Sequence, residues 1–369
     1  MTVQESDPAT QTRSIPQTMR AVRYHEHGGP EVLQIDQVGV PAPGPGEVLV
    51  RVTSIGINGW DIRARSGSAP QIPGRPPTPL PFQLGREAAG EVAALGAGVT
   101  RRTVGERVVL MSNPSCGQCA YCTKRGTHLC VARELPGHSA PGSYAEYIVA
   151  RAEDVMTTPA NLTDAEATPI FWAYGTALHM LDVGDLGAGD TVVVTAAASA
   201  MGIACIQLAR LVGASAVIAL TRSPAKHAAL KAAGADHVFD HRDPETAGRI
   251  KGLVRAVGVD VVLDNHGGQD LVDFGMDVLD LGGRHVLIAS DATHFGNTLS
   301  VDPLRMIGKH ISLRACRAST RREQEQVMGM AARGQISMPI AEILPFEEVQ
   351  TAHRHQAEGA RVGKILLSI

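Results

Sequence analysis

Cys116, Cys119, Cys122 and Cys130 stand close together in CGQCAYCTKRGTHLC, a C-x2-C-x2-C-x7-C spacing. Four thiolates so near in sequence can close a tetrahedral shell around zinc, with Zn–S bonds of ~2.3 Å. Such a shell leaves no open position, so the ion would be structural. It would hold together a lobe, residues 113–131, that has few apolar side chains of its own. Gly117 and Gly126 let the backbone bend around it. The other two cysteines, Cys205 and Cys316, sit in apolar runs and read as packed, inert thiols.

A second chemistry is written in TVVVTAAASAMGIACIQLA, which reads as strand, tight turn and helix. The three places of a G-x-G-x-x-G fingerprint are filled by Ala197, Ser199 and Gly202. Only the last is glycine, so an ordinary strand-to-helix turn is the alternative. Small side chains still let backbone approach a pyrophosphate, and the helix N-terminus favours its charge. Ala197, Ser199, Ala200, Met201 and Gly202 are therefore taken as cofactor-binding. About 20 residues further on, an NAD site places an acid for the ribose hydroxyls. This chain has Thr221-Arg222-Ser223-Pro224-Ala225-Lys226 instead. Cations at Arg222 and Lys226 and hydroxyls at Thr221 and Ser223 suit a 2′-phosphate, which predicts NADP(H) over NAD(H). The competing reading of Arg222 and Lys226 is a solvated helix start.

The elements that would position these groups fall into two kinds. Residues 19–169 carry short β-like runs split by Gly and Pro: 47–57, 88–96, 106–111 and 143–150. Residues 170–315 alternate strands (191–198, 216–220, 259–264, 283–290) with helices (202–213, 224–234), the pattern of a parallel sheet. Residues 316–369 add helices at 322–334 and 346–359 and a last strand, KILLSI. A length of 369 residues suits two domains, and 44% hydrophobic against 19% charged residues suits a folded globular chain. A net charge of −3 gives no basic face, so nucleic acid and anionic membrane are poor partners, and no apolar run is long enough to span a bilayer. Residues 1–18 are polar, carry no export signal and read as a disordered tail; a start at Met19 would lose nothing recognisable. A cytoplasmic location and reduced cysteines are expected. The Pro-rich stretch 70–81 reads as a lid or as a structural loop.

In order and spacing the chain from Met19 to Ile369 resembles the medium-chain dehydrogenase/reductase superfamily. The carriers are GGPEVLQI, PGPGEVLVRV, LGREAAGEVAALGAGVTRRTVGERV, the cysteine lobe, GSYAEYIV, AAASAMG, GVDVVLDNHGG and ARVGKILL. The resemblance implies an α/β protein with a GroES-like β-rich catalytic domain (19–169 and 316–369) and an inserted Rossmann domain with a doubly wound parallel sheet (170–315). The cleft between them would hold nicotinamide and a small-molecule substrate, with Lys364 among the cofactor-binding residues. A homodimer or homotetramer is also implied.

The cysteine lobe looks like that of zinc alcohol dehydrogenases, which carry a second, catalytic zinc. Here the first ligand position of that zinc is Asn58, the second is Arg86 in Gly85-Arg86-Glu87, and the third falls near Thr168 by a looser alignment. Arginine keeps its proton and offers no lone pair to a metal. The two proton-relay positions are Trp60 and Arg63, so first ligands and relay are both replaced. GINGWDIRARSG resembles instead the zinc-free quinone oxidoreductase and enoyl reductase branches, which reduce activated C=C bonds with NADPH. The expected catalytic residues are Arg86 and Asn58, as stabilisers of enolate charge, with Asp61 nearby and Tyr174, Tyr144 or water as proton donor. A salt bridge from Arg86 to Asp61 or Glu87 is the structural alternative. Trp60, Trp172, Tyr174 and loop 70–81 are expected around the substrate, and His128 and His138 at the surface. The competing functions are a zinc alcohol dehydrogenase or carbonyl reductase with unusual ligands and an NADPH-binding protein without turnover. Elemental analysis of the purified protein should find one zinc per chain; two per chain would favour the alcohol dehydrogenase reading.

Overall fold

The computed structural model describes residues 15–69, 78–254, 257–289 and 298–369. Most of the expected tail (1–14) and most of the Pro-rich stretch (70–77) lie outside the described residues. The strand Glu47–Gly56 organises the first half of the molecule, because all but three of its residues are buried. It pairs antiparallel with Ala88–Leu95, with Tyr147–Arg151 and with the last strand of the chain, Lys364–Ser368. The sheet runs in the order Ile340–Pro345, Lys364–Ser368, Glu47–Gly56, Ala88–Leu95, Arg107–Leu110, Val155–Thr157. Both ends of the chain therefore build one β-rich domain, as the GroES-like resemblance implies. Its core holds Val48, Val50, Val52, Ile55, Val92, Val108, Tyr144, Phe346, Ile365 and Leu367.

The second sheet has six strands, in the order His237–Phe239, Ala216–Leu220, Thr191–Val194, Val259–Asp264, Leu279–Leu287, Ser312–Ala315. Every pairing in it is parallel. The order reverses between Thr191–Val194 and Val259–Asp264, the topological switch point where doubly wound sheets open a ligand crevice. Alternation in TVVV splits the core: Val192 and Val194 pack with Ile203 and Leu208 on one face, Val193 with Ile218, Val272 and Met276 on the other. Among the described residues no helix is long and apolar enough to cross a membrane.

Several expected elements change length. The strand expected over 191–198 stops at Val194, because Ala196 takes φ 45° and the chain turns there. The strand expected at 283–290 starts earlier, at Leu279. In 143–150 only Tyr147 onward is strand; before it, Tyr144 uses its backbone to tie Val22 and Leu84. Helix Gly59–Ser66 and the turn-plus-helix Ile170–Val183 carry no clean periodicity and were not expected.

Gly202 is forced by packing. A Cβ there would sit 2.5 Å from both the Cα and the carbonyl oxygen of Ala197, backbone that cannot yield. Gly202→Ala should lower unfolding stability by about 1–3 kcal/mol, read as a lower urea midpoint with unchanged slope.

Candidate active site

At the switch point, the turn after Thr191–Val194 meets helix Ala200–Leu211, and Ser199 Oγ caps that helix by accepting from Gly202 N at 3.1 Å. A cleft of 730 Å³ opens here, lined by Ser199, Ala200 and Met201, by Thr221, Arg222, Ser223 and Lys226, and on the far wall by Asn58, Trp172 and Lys364. Ala197 and Gly202 do not line it. They act beneath it: Ala197 is fully buried with its N–H on Leu220 O, and Gly202 presses against it. No acid follows Leu220. Arg222 makes no ion pair among the described residues, and Lys226 Nζ donates to Gly359 O. Burial, then the charge of Arg222, pushes the Lys226 pKa down. Sequence reasoning missed His241, Arg242, Asn265 and His266 on the same walls. The first two follow a strand of three residues, too short to carry a periodic signal. The residues present fit a phosphorylated dinucleotide: a capped helix N-terminus, small side chains above it and an unpaired guanidinium.

The far wall is a buried polar network. Asn58 is the N-cap of helix Gly59–Ser66, and its N–H donates to Asp61 Oδ2 at 2.9 Å. The Asn58 side chain is occupied at both ends: Nδ2 donates to Glu87 Oε2 at 3.1 Å, and Oδ1 accepts from Lys364 Nζ at 2.7 Å. Lys364 Nζ also forms an ion pair with Glu87. Asn58 thus lines the cleft with its amide already committed, and Lys364 reaches Glu87 and Asn58 while lining the same cleft. Asp61 Oδ2 accepts in addition from Tyr144 OH at 3.2 Å, and that hydroxyl lies 3.0 Å from His353 Nε2. Burial raises the Asp61 pKa to about 6 and lowers that of His353 to about 3.

Arg86 makes no salt bridge among the described residues, contrary to the structural alternative. Its guanidinium lies 4.5 Å from the centre of the Trp172 ring, and Nη2 donates to Ser112 O at 3.0 Å. Nε is buried without a partner. Burial lowers its pKa to about 10, opposed by the charges of Asp61 and Glu87, so it stays a cation at neutral pH. Tyr174 is not placed as a proton donor. It is fully buried, its hydroxyl donates to Gln207 Oε1 at 2.8 Å, and burial raises its pKa far above the ordinary value. Tyr144 is likewise committed to Asp61 and His353. Trp60 stacks on His138 at 4.6 Å, and His128 packs on His179 at 4.4 Å, so neither histidine is a plain surface residue.

The four lobe cysteines come together with all four Sγ atoms within 4.8 Å of one another. Backbone N–H groups already point at sulfur: Cys119 N at Cys116 Sγ (3.2 Å) and Cys116 N at Cys130 Sγ (3.4 Å). This donor set fits a tetrahedral ion. Among the described residues the one other group of potential ligands is His179, Asp182 and Glu323. Asn58 and Arg86 belong to neither, and the Arg86 guanidinium offers a metal no lone pair.

Family models match two stretches: the alcohol dehydrogenase GroES-like domain at residues 44–160 and the zinc-binding dehydrogenase domain at 200–333. The alcohol dehydrogenase of Schizosaccharomyces pombe is 27% identical, over 96% of this chain and 99% of that one. The human synaptic vesicle membrane protein VAT-1 homolog is 31% identical, over 91% of this chain and 82% of that one. The crystal structure of an NAD-dependent alcohol dehydrogenase superposes with a TM-score of 0.87 and 32% identity, covering 95% of this chain and 100% of that one.

A carboxylate whose native pKa is raised binds more protons folded than unfolded between its two pKa values. Its contribution to stability therefore falls as pH rises from the ordinary value of 3.8 to about 6. Asp61→Asn should flatten the decline of unfolding free energy across that window, leaving the parts due to Asp154, whose pKa burial raises to about 6, and to Glu87, whose pKa burial also raises. Urea titrations at stepped pH measure it.

Proposed function

The chain belongs to the medium-chain dehydrogenase/reductase superfamily, and on that premise we propose that it is an NADPH-dependent reductase of activated C=C bonds that works without a catalytic zinc. The observation that carries this reading is the pair of side chains at the catalytic-ligand places. Asn58 has its amide committed to Glu87 and Lys364, and Arg86 is a buried cation. A metal needs lone pairs there, whereas a developing oxyanion needs positive charge. Arg86 would supply that charge, its position held by Trp172 and the Ser112 carbonyl.

Bound NADPH would supply the hydride, directed to the β-carbon of an enone, quinone or enoyl group. Arg86 then stabilises the negative charge that collects on the carbonyl oxygen. With Tyr174 and Tyr144 both committed in the interior, the α-carbon takes its proton from water. Ser199, Ala200 and Met201 cradle the pyrophosphate, and Thr221, Arg222, Ser223 and Lys226 receive the 2′-phosphate. The cysteine lobe holds one structural zinc. On this reading the partners are small molecules and further copies of the chain, as a dimer or tetramer, in the cytoplasm. The alcohol dehydrogenase names of two relatives favour the other reading, a zinc-type alcohol dehydrogenase or carbonyl reductase using NAD(H).

The test is NADPH oxidation over a panel of enones and quinones. Turnover should be faster with NADPH than NADH, and Arg222→Ala should raise KM for NADPH about tenfold, the loss of roughly one charge-assisted phosphate contact. Alcohol oxidation with NAD and no enone reduction would reverse the assignment.

A further inference from the structure

Away from the cleft, three potential metal ligands converge where the cysteine lobe meets two helices. His179 and Asp182 stand about one turn apart on helix Thr176–Val183, and Glu323 lies in the first turn of helix Arg321–Ala332. One ligand atom from each lies within 4.8 Å of the other two. Glu323 is positioned by its own helix. Its Oε2 accepts from Thr320 N at 2.6 Å, and its Oε1 lies 2.8 Å from His179 Nδ1. His179 and Glu323 are buried, at 6% and 7% exposure. Asp182 is exposed, and its carboxylate makes no hydrogen bond or ion pair among the described residues. Glu323 has His179 as its one ion-pair partner there. The cysteine lobe supplies the third wall: His128 lays its ring 4.4 Å from that of His179, with Nδ1 buried and unpaired. Thr127 Oγ1 accepts from Arg321 N at 2.9 Å, which ties the lobe to the second helix.

Two carboxylates this close, one of them buried, repel each other unless a cation lies between them. An imidazole with two carboxylates suits zinc and its first-row neighbours. Ligands bonded to one ion at ~2.0–2.2 Å and at right angles stand roughly 3 Å apart, near the spacing of the His179–Glu323 pair. Asp182 has no bond to give up and can turn to complete the set. We propose that His179, Asp182 and Glu323 form a second metal site, which takes Zn2+ or a neighbouring first-row divalent cation, with water in the remaining positions. This goes beyond the reductase reading and does not depend on it. The site has three protein ligands, one of them exposed, so it exchanges its ion while the four thiolates keep theirs. A bound ion clips together the helix that precedes the parallel sheet and the helix that follows it, both of which pack in one core. Protein passed through EDTA therefore still carries the one zinc of the lobe.

The experiment is calorimetry on the full-length protein, with its lobe zinc in place and after EDTA treatment, titrated with zinc chloride. One further Zn2+ per chain should bind. Asp182→Ala removes an exposed side chain that holds nothing else, and Glu323→Gln keeps an oxygen for Thr320 N. Each should weaken binding at least about tenfold, because even partners outside the ligand set cost about 10–100-fold in metal affinity. Co2+ added in place of Zn2+ should bind without the sulfur-to-metal charge-transfer band that exchange into the cysteine shell produces. A second zinc in protein not treated with EDTA belongs to this site if Asp182→Ala loses it. No further uptake, uptake unchanged in either variant, or a sulfur band with Co2+ would overturn the proposal and leave His179 and Glu323 as a plain buried pair.

Discussion

Lys364 reaches Glu87 and Asn58 across the sheet that the two ends of the chain build together, and the chemistry of the cleft follows from that buried contact. A buried ion pair holds only when the remaining hydrogen-bonding capacity is also met. Asn58 meets part of it, giving its amide N–H to Glu87 and its oxygen to Lys364. That arrangement fixes the start of helix Gly59–Ser66, places Asp61 at its first turn and engages Glu87 through Oε2. Arg86, the neighbour of Glu87, is left with a carbonyl and an aromatic ring for company. It has no bonded carboxylate partner among the described residues.

The cofactor end follows a different constraint, close approach of backbone. The strand ends early at Val194, Ala196 turns with a positive φ, and Gly202 packs where no side chain fits. Ser199 and Ala200 then present a helix N-terminus to the cleft with nothing bulky above it, while Arg222 waits at the end of the neighbouring strand. Small or committed side chains line both ends of the cleft; Arg222 lines one end, and at the other Arg86 lies buried against Trp172.

What could be read from the sequence was local. The cysteine spacing is a property of fifteen consecutive residues, and the four sulfurs do converge. The alternation of strands and helices, the strand–turn–helix at 191–211 and the acid-free run after Leu220 were equally legible, since each needs only its own neighbours. What could not be read depended on long-range contacts. Tyr174 looked like an acid near the cleft until Gln207 captured its hydroxyl in the core. The alternative of a salt bridge from Arg86 to Asp61 or Glu87 is not realised: Lys364, from the far end of the chain, pairs with Glu87.

The central claim is that a guanidinium does the work a metal ion does in related dehydrogenases. Chemical rescue tests it most directly. Arg86→Ala should lose about 100-fold or more in kcat with NADPH affinity nearly unchanged, the size seen when one oxyanion donor is removed, and added guanidinium or ethylguanidinium should restore turnover in a saturable way. Restoration by zinc and not by guanidinium, or full activity in the variant without any additive, would contradict the account.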